Sequence, residues 1–211
     1  MDQMTFSGIS SCEQFRANPF AKSGAIARKC IDCGFDIQEH AASAVTEKAV
    51  LKVLESVESV PSLITGGPDG GLFQGGWQAA INEKYLRESN VGLVINTAGG
   101  LEAMFPKFRP AALYERLGIV AMQFDWEDSA STTFSADDIE KATEAIQSML
   151  ESGKSVLVHC AQGRSRSGSV VVSYVSRSEG LSVDDALLRV QEKRVMCQPN
   201  EHFMSLLRAM S

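Results

Sequence analysis

Residues 156–169 constrain this chain more than any other stretch. They read Val-Leu-Val-His-Cys-Ala-Gln-Gly-Arg-Ser-Arg-Ser-Gly-Ser. The apolar run Val156-Leu157-Val158 predicts a buried strand. Val170, Val171, Val172, Tyr174 and Val175 predict a helix directly behind the stretch. Between strand and helix stand Cys160 and Arg166, with five residues separating them. A strand, a tight loop and a helix start aim several backbone N–H groups at one point, which makes an anion site. Arg166 adds a planar fork of donors suited to two oxygens of a phosphate. Thiols at helix N-termini and beside cations ionise far more readily than free thiols, so the same field favours a thiolate at Cys160. One loop supplies both an oxyanion cradle and a sulfur nucleophile, and that combination means attack on phosphorus. A lone Cys after a strand would read as inert core. Here His159, Cys160, Gly163, Arg166 and Ser167 fall in order between strand and helix.

The pattern His-Cys-x-x-Gly-x-Ser-Arg-Ser, from His159 to Ser167, resembles the signature loop of the cysteine-dependent protein tyrosine phosphatases. It looks most like the dual-specificity branch. The resemblance implies that Cys160 is the nucleophile and that Arg166 binds phosphate. It implies that the backbone amides of Ala161, Gln162, Gly163, Arg164, Ser165 and Arg166 hold the phosphate oxygens. Ser167 would hydrogen-bond the sulfur and help it leave. The run through Ile64, Leu72-Phe73, Ala79-Ala80 and Leu93-Val94-Ile95-Asn96 also resembles the opening of dual-specificity phosphatase domains, so the likeness extends well beyond one loop.

The chain has 211 residues, enough for one ordinary domain and a small appendage. With 44% hydrophobic and 22% charged residues, it can build a core without disulfides. A formal net charge of -6 argues against nucleic acid or an anionic membrane as a partner. No run reaches the ~18 consecutive apolar residues of a membrane span. The N-terminus, Met1-Asp2-Gln3-Met4, has neither the basic nor the apolar region of a secretory signal. Five cysteines, one of them in a reactive loop, suit an intracellular, reducing location, cytoplasmic or nuclear.

The expected fold is α/β, a central and mostly parallel sheet flanked by helices, with a small N-terminal Cys/His appendage. Residues 1–60 form the appendage and a linking helix; residues 61–211 form the phosphatase domain. Within the appendage, Cys30 and Cys33 have the spacing that places two thiolates on one tetrahedral metal. Cys12 and His40 would complete a structural zinc site. Reduced thiols in an N-terminal extension are the other reading. Val45, Ala49, Val53 and Val57 give the linking helix over residues 43–60, and Pro61 stops it.

Short strands are expected at residues 62–65 and 72–74, with the glycines between them as turns. A helical stripe follows over Trp77, Ala80, Ile81, Tyr85 and Leu86. Buried strands are expected at residues 91–98 and 118–126, with a short helix after Pro110. Residues 135–153 read as a helix capped by Ser135 and Asp138. The helix behind the signature loop should run to Glu179 and Gly180. The next should start at Ser182 and run to Arg194, and a last helix should follow Pro199-Asn200.

A phosphate ester leaves poorly as an alkoxide, so a carboxylic acid should protonate the leaving oxygen. Deprotonated, it would then activate water. Sites in such sheets lie at the C-terminal ends of the strands, and the acidic residues after the strand at 118–126 are the candidates. The resemblance implies an Asp a few residues past a strand, ahead of the Cys. Asp128 lies 32 residues before Cys160 and Asp125 lies 35 before it. Asp128 is favoured, since Asp125 falls inside the expected strand. His159 reads as a structural brace.

The resemblance implies an active phosphatase for phosphotyrosine and phosphoserine or phosphothreonine on a phosphoprotein substrate, working through a phosphocysteine without a catalytic cofactor. Two alternatives stay open: a phosphate-binding adaptor without turnover, and a phosphatase for a non-protein phosphate ester. The N-terminal segment would serve as a docking module for a protein partner.

Overall fold

Strands β1 (Ser62–Thr65), β2 (Leu72–Gly75), β3 (Val91–Asn96), β4 (Val120–Gln123) and β5 (Ser155–His159) form one sheet in the order β1-β2-β5-β3-β4. They belong to a computed structural model that describes residues 59–67, 70–129 and 134–210. Cys12, Cys30, Cys33 and His40 lie outside the described residues, as does nearly all of the expected linking helix.

The β1–β2 pair is antiparallel and the other three pairs are parallel. A parallel strand covered on both faces reads as a continuous apolar run. That is why Val156-Leu157-Val158 sits centrally, with all five residues of β5 buried. Successive side chains alternate between faces. Val156 and Val158 join Leu93 and Ile95 in one core layer, while Leu157 joins Phe73 and Val94 in the other.

The helices are α1 (Glu83–Glu88), α2 (Leu101–Met104), α3 (Ala111–Leu117), α4 (Ala136–Glu151), α5 (Arg166–Glu179), α6 (Val183–Gln191) and α7 (Glu201–Met210). Residues of α4 to α7, including Ile139, Val171, Val190 and Phe203, fill the first layer. Leu86, Leu101 and Tyr114, from α1 to α3, fill the second. Each fully buried Val, Leu or Phe contributes roughly 1.5–3 kcal/mol.

Most expected boundaries are found where the capping chemistry is local. Ser135 accepts from Asp138 N at 3.1 Å and Asp138 Oδ2 accepts from Ser135 N, a complete capping box on α4. Ser182 caps α6 by accepting from Asp185 N at 3.1 Å while its hydroxyl donates to Asp185 Oδ2, and Gly180 ends α5 with φ 66°.

Several boundaries differ, among them the strand expected over residues 91–98, which ends at Asn96. The stripe from Trp77 to Leu86 is a 3-10 turn at Ala79–Ile81 followed by α1, because Asn82 accepts from Tyr85 N and starts a new helix. The strand expected over residues 118–126 pairs with β3 only as far as Gln123, where β3 itself ends at Asn96. Phe124 to Asp128 then leave the sheet. Helix α6 stops at Gln191, three residues short of Arg194.

Gly75 and Asn96 both pair with His159, and Gln123 pairs with Asn96. Four parallel strands therefore finish at one level, and the segments after β3, β4 and β5 emerge side by side.

Candidate active site

Residues 160–165 connect the end of β5 to the start of α5. The carbonyl oxygen of Ala161 accepts from Trp77 N at 3.3 Å. That of Gln162 accepts from Arg194 Nη2 at 3.4 Å. The Gly163 carbonyl accepts from Arg194 Nε at 2.8 Å and from Gln74 Nε2 at 3.2 Å. The Arg164 carbonyl accepts from Gln198 N at 3.3 Å. A trans peptide carries its C=O and N–H on opposite sides, and no peptide bond in the described chain is cis. Four carbonyls bound outward turn the amides of Gln162, Gly163, Arg164 and Ser165 toward the inside of the loop. This is a nest of donors, the backbone form of an anion site.

Gly163 makes the turn with φ 67°, in the left-handed region that favours glycine. An added Cβ would come within 2.4 Å of the Gly75 backbone.

Cys160 is buried at the base of the loop. Its Sγ accepts from Gly163 N at 3.2 Å and lies 3.5 Å from Ser167 Oγ. Gln74 Nε2 donates to Ser167 Oγ at 3.3 Å, which leaves the Ser167 proton available for the sulfur. Ser167 also sits in the first turn of α5, whose N-terminus adds a positive partial charge.

Arg166 Nη1 donates to Trp126 O at 3.2 Å. Its Nε is buried without a hydrogen-bond partner and lies 3.8 Å from Asp128 Oδ2. Asp128 Oδ1 accepts from Ser165 Oγ at 2.7 Å and from Asn200 Nδ2 at 3.0 Å. The segment carrying Asp128 is anchored by Trp126, whose ring stands 5.1 Å from Phe124 and 4.9 Å from Phe134. Asp125 goes elsewhere. Its Oδ1 accepts from Gln123 Nε2 at 2.8 Å, and its carboxylate packs on Gly99. The structure thus joins Asp128 to Ser165 and Arg166, and turns Asp125 toward the connection after β3.

His159 is fully buried. Burial pushes its pKa down to about 4, against the opposing effect of its bond to the Cys160 carbonyl. The neutral ring donates from Nδ1 to that carbonyl at 3.3 Å. Thr97 N and Oγ1 both donate to the His159 carbonyl, at 2.9 and 3.0 Å. His159 braces the start of the loop, as its place in the sequence predicts. Cys197 is a second buried thiol. Burial pushes it up to about 12, so it stays protonated.

Gln74, Arg194 and Asn200 hold this geometry and were not assigned a part from sequence. A Gln inside the apolar run of β2 was a usable signal, because a buried amide must find partners. Asn200 carried one too, as the residue that caps α7 by accepting from Phe203 N at 2.9 Å. Arg194 had none, since a basic residue near a helix C-terminus is ordinary.

The family model described as "Dual specificity phosphatase, catalytic domain" matches residues 72–211. This chain belongs to the dual-specificity phosphatase family. Its members hydrolyse phosphoesters without a catalytic cofactor. Dual specificity protein phosphatase 1 of Arabidopsis thaliana is 32% identical over 160 residues, covering 75% of this chain and 73% of that one. Among solved structures, the human tyrosine phosphatase-like serine/threonine/tyrosine-interacting protein has a TM-score of 0.62 at 27% identity. It covers 71% of this chain and 93% of that one. PTPMT1 in complex with PI(5)P has a TM-score of 0.61 at 18% identity, covering 69% and 92%, a likeness of fold.

Among the described residues, no group of His, Cys, Asp and Glu is arranged to hold a metal ion, and no helix is long and apolar enough to cross a membrane.

Proposed function

We propose that this chain is an active phosphatase for phosphotyrosine and phosphoserine or phosphothreonine on protein substrates. The observation that carries the reading is the set of groups around one sulfur. Gly163 N and Ser167 Oγ sit on Cys160 Sγ, while Arg166 and Asp128 stand together beside the same loop.

In the first step the Cys160 sulfur forms a bond to phosphorus, and the bond from phosphorus to the ester oxygen breaks. The amides of residues 162–165 and the Arg166 guanidinium take the developing charge on the phosphoryl oxygens. Asp128 gives its proton to the leaving oxygen. In the second step Asp128 takes a proton from water, and that water's oxygen bonds to phosphorus. The sulfur leaves as a thiolate, stabilised by the Ser167 hydroxyl. Phosphate is the second product.

The reading takes residues 61–211 as the catalytic domain and residues 1–60 as an appendage that docks a protein partner, in an intracellular, cytoplasmic or nuclear, setting. A structural zinc on Cys12, Cys30, Cys33 and His40 belongs to the same proposal and is supported by their spacing alone.

A second reading, a phospho-binding adaptor without turnover, is prompted by the likeness to a protein named as tyrosine phosphatase-like and as an interacting protein. A third, hydrolysis of a non-protein phosphate ester, is prompted by PTPMT1 solved with PI(5)P. Turnover of an aryl phosphate, followed by a panel of phosphotyrosine, phosphoserine and phosphothreonine peptides and a phosphoinositide, separates the three. Cys160→Ser should abolish turnover while keeping vanadate binding. Normal turnover in that variant would overturn the mechanism. Phosphopeptide binding without any turnover by the unaltered protein would favour the adaptor.

A further inference from the structure

One side chain holds two consecutive peptide groups of the loop. Arg194 reaches Gln162 O through Nη2 and Gly163 O through Nε, while its Nη1 donates to Ser62 Oγ at 3.1 Å. The guanidinium is planar and rigid, so these donors share one fixed frame. It is 9% exposed, and the frame is tied to β1 at one end and the loop at the other.

The consequence follows from peptide geometry. With the Gln162 carbonyl on Arg194, the N–H of the same peptide, that of Gly163, points the opposite way. That N–H is the one on Cys160 Sγ. With the Gly163 carbonyl also on Arg194, the Arg164 N–H is turned inward too. We propose that Arg194 is a positioning residue that sets both the reactivity of Cys160 and the loop's grip on phosphate, by fixing the Gly163 and Arg164 amides. The proposal rests on the reading of Cys160 as the nucleophile. The charge of Arg194 works in the same direction, because a cation bonded to the loop's outer carbonyls favours a phosphate dianion inside it. The early end of α6 is what frees Arg194 for this task. The residue lies three positions beyond Gln191, and its own N–H still closes the last helical turn on Val190 O at 2.9 Å.

The test uses the full chain, unaltered and as Arg194→Met and Arg194→Lys, with readouts that need no turnover. Iodoacetate alkylation of Cys160 at neutral pH is followed by peptide mapping, with and without inorganic phosphate as protectant. The Gly163 amide resonance is followed in parallel. In Arg194→Met, alkylation should slow about tenfold and phosphate protection should weaken about tenfold, the scale of a lost charge-assisted hydrogen bond. The Gly163 resonance should move. Arg194→Lys should recover only part of each effect, since one ammonium cannot replace a fork that spans two carbonyls and Ser62.

An Arg194 that merely ties β1 to the loop would lower the melting temperature and leave the folded variants at unaltered rates, protection and resonance. That result would overturn the proposal. Where Arg194→Met does not fold, Arg194→Lys decides by the same criterion. If phosphate fails to protect Cys160 even in the unaltered protein, the phosphatase reading itself falls. Protection there, with unchanged variants, removes the role of Arg194 alone.

Discussion

Asn200 Nδ2 donates to Asp128 Oδ1 at 3.0 Å, joining residues 72 apart in the chain at the edge of the phosphate loop. Asn200 N also donates to Ser165 Oγ at 3.1 Å, and Ser165 Oγ donates to the same Asp128 oxygen. Oδ1 is therefore occupied by two donors, while Oδ2 lies 3.8 Å from Arg166 Nε; in the proposed mechanism Asp128 is the general acid. Asp128→Asn should lower kcat by roughly 10²–10⁴-fold, the scale of a lost general acid. Asn200→Ala, which loosens the carboxylate without removing it, should lower kcat by about tenfold, the scale of one hydrogen bond. Both losses should grow as the leaving group becomes more basic, read across a series of aryl phosphates. Asp125→Asn should leave kcat near its unaltered value, because Gln123 holds that carboxylate elsewhere. A large loss from Asp125→Asn with none from Asp128→Asn would exchange their roles.

Gly163 and Gly100 both have φ near +70°, at 67° and 69°, but they differ in what surrounds them. An Ala Cβ at Gly100 would meet nothing within 4 Å. At Gly163 it would meet Gly75 backbone atoms at 2.4 Å and Arg194 Nη2 at 2.6 Å. Gly100→Ala should therefore cost only the left-handed backbone penalty, roughly 1–2 kcal/mol. Gly163→Ala should cost more and should also remove phosphate binding, since the clash displaces the peptide whose N–H meets Cys160. Denaturant unfolding and phosphate protection of Cys160, measured on both variants, check the contrast.

The contiguous part of this site was legible in the sequence because one loop carries it. Cys160, Gly163, Arg166 and Ser167 are fixed relative to one another by a strand end, a turn and a helix start. The parts brought by the fold were less so, although the sequence already favoured Asp128 over Asp125. Asp125 and Asp128 differ by three positions, and only the end of β3–β4 pairing at Gln123 and the anchoring of Trp126 separate them. Arg194 was expected as the last residue of a helix that in fact stops at Gln191. Its partners on the loop lie 31 and 32 residues away, a relation that periodicity does not encode. The sheet order was equally a tertiary matter, though its mostly parallel character followed from alternating strands and helices.

The zinc proposal for residues 1–40 has a direct check. A segment this short buries little core of its own, so a metal on Cys12, Cys30, Cys33 and His40 would supply folding energy that it lacks. Elemental analysis of protein purified without added metal should find close to one zinc per chain. Less than about a tenth of an equivalent would count against a structural site. Chelation should leave aryl phosphate turnover nearly intact, because the phosphocysteine chemistry uses no metal. Cys33→Ser should remove the zinc, and full occupancy in that variant would place the ion elsewhere.

His159 gives the fold a pH dependence of definite sign. Its folded pKa, about 4, lies below the ordinary value of 6.5, because burial penalises the charged ring. Between these two values the unfolded chain binds a proton that the folded chain does not. Stability therefore falls as the pH drops from about 6.5 toward 4, and this contribution is fully present above 6.5. Complete loss amounts to roughly 3 kcal/mol for one such group. Carboxylates also titrate in this range, so the measurement is a difference. Urea unfolding of the unaltered protein and of His159→Gln across pH 4 to 7.5 should give a shallower slope in the variant. Near pH 7 the variant should be the less stable of the two, since the Nδ1 donor to the Cys160 carbonyl and the packing on Phe108 are lost, and the gap should narrow as the pH falls toward 4. Parallel slopes would show that His159 is not the group that titrates.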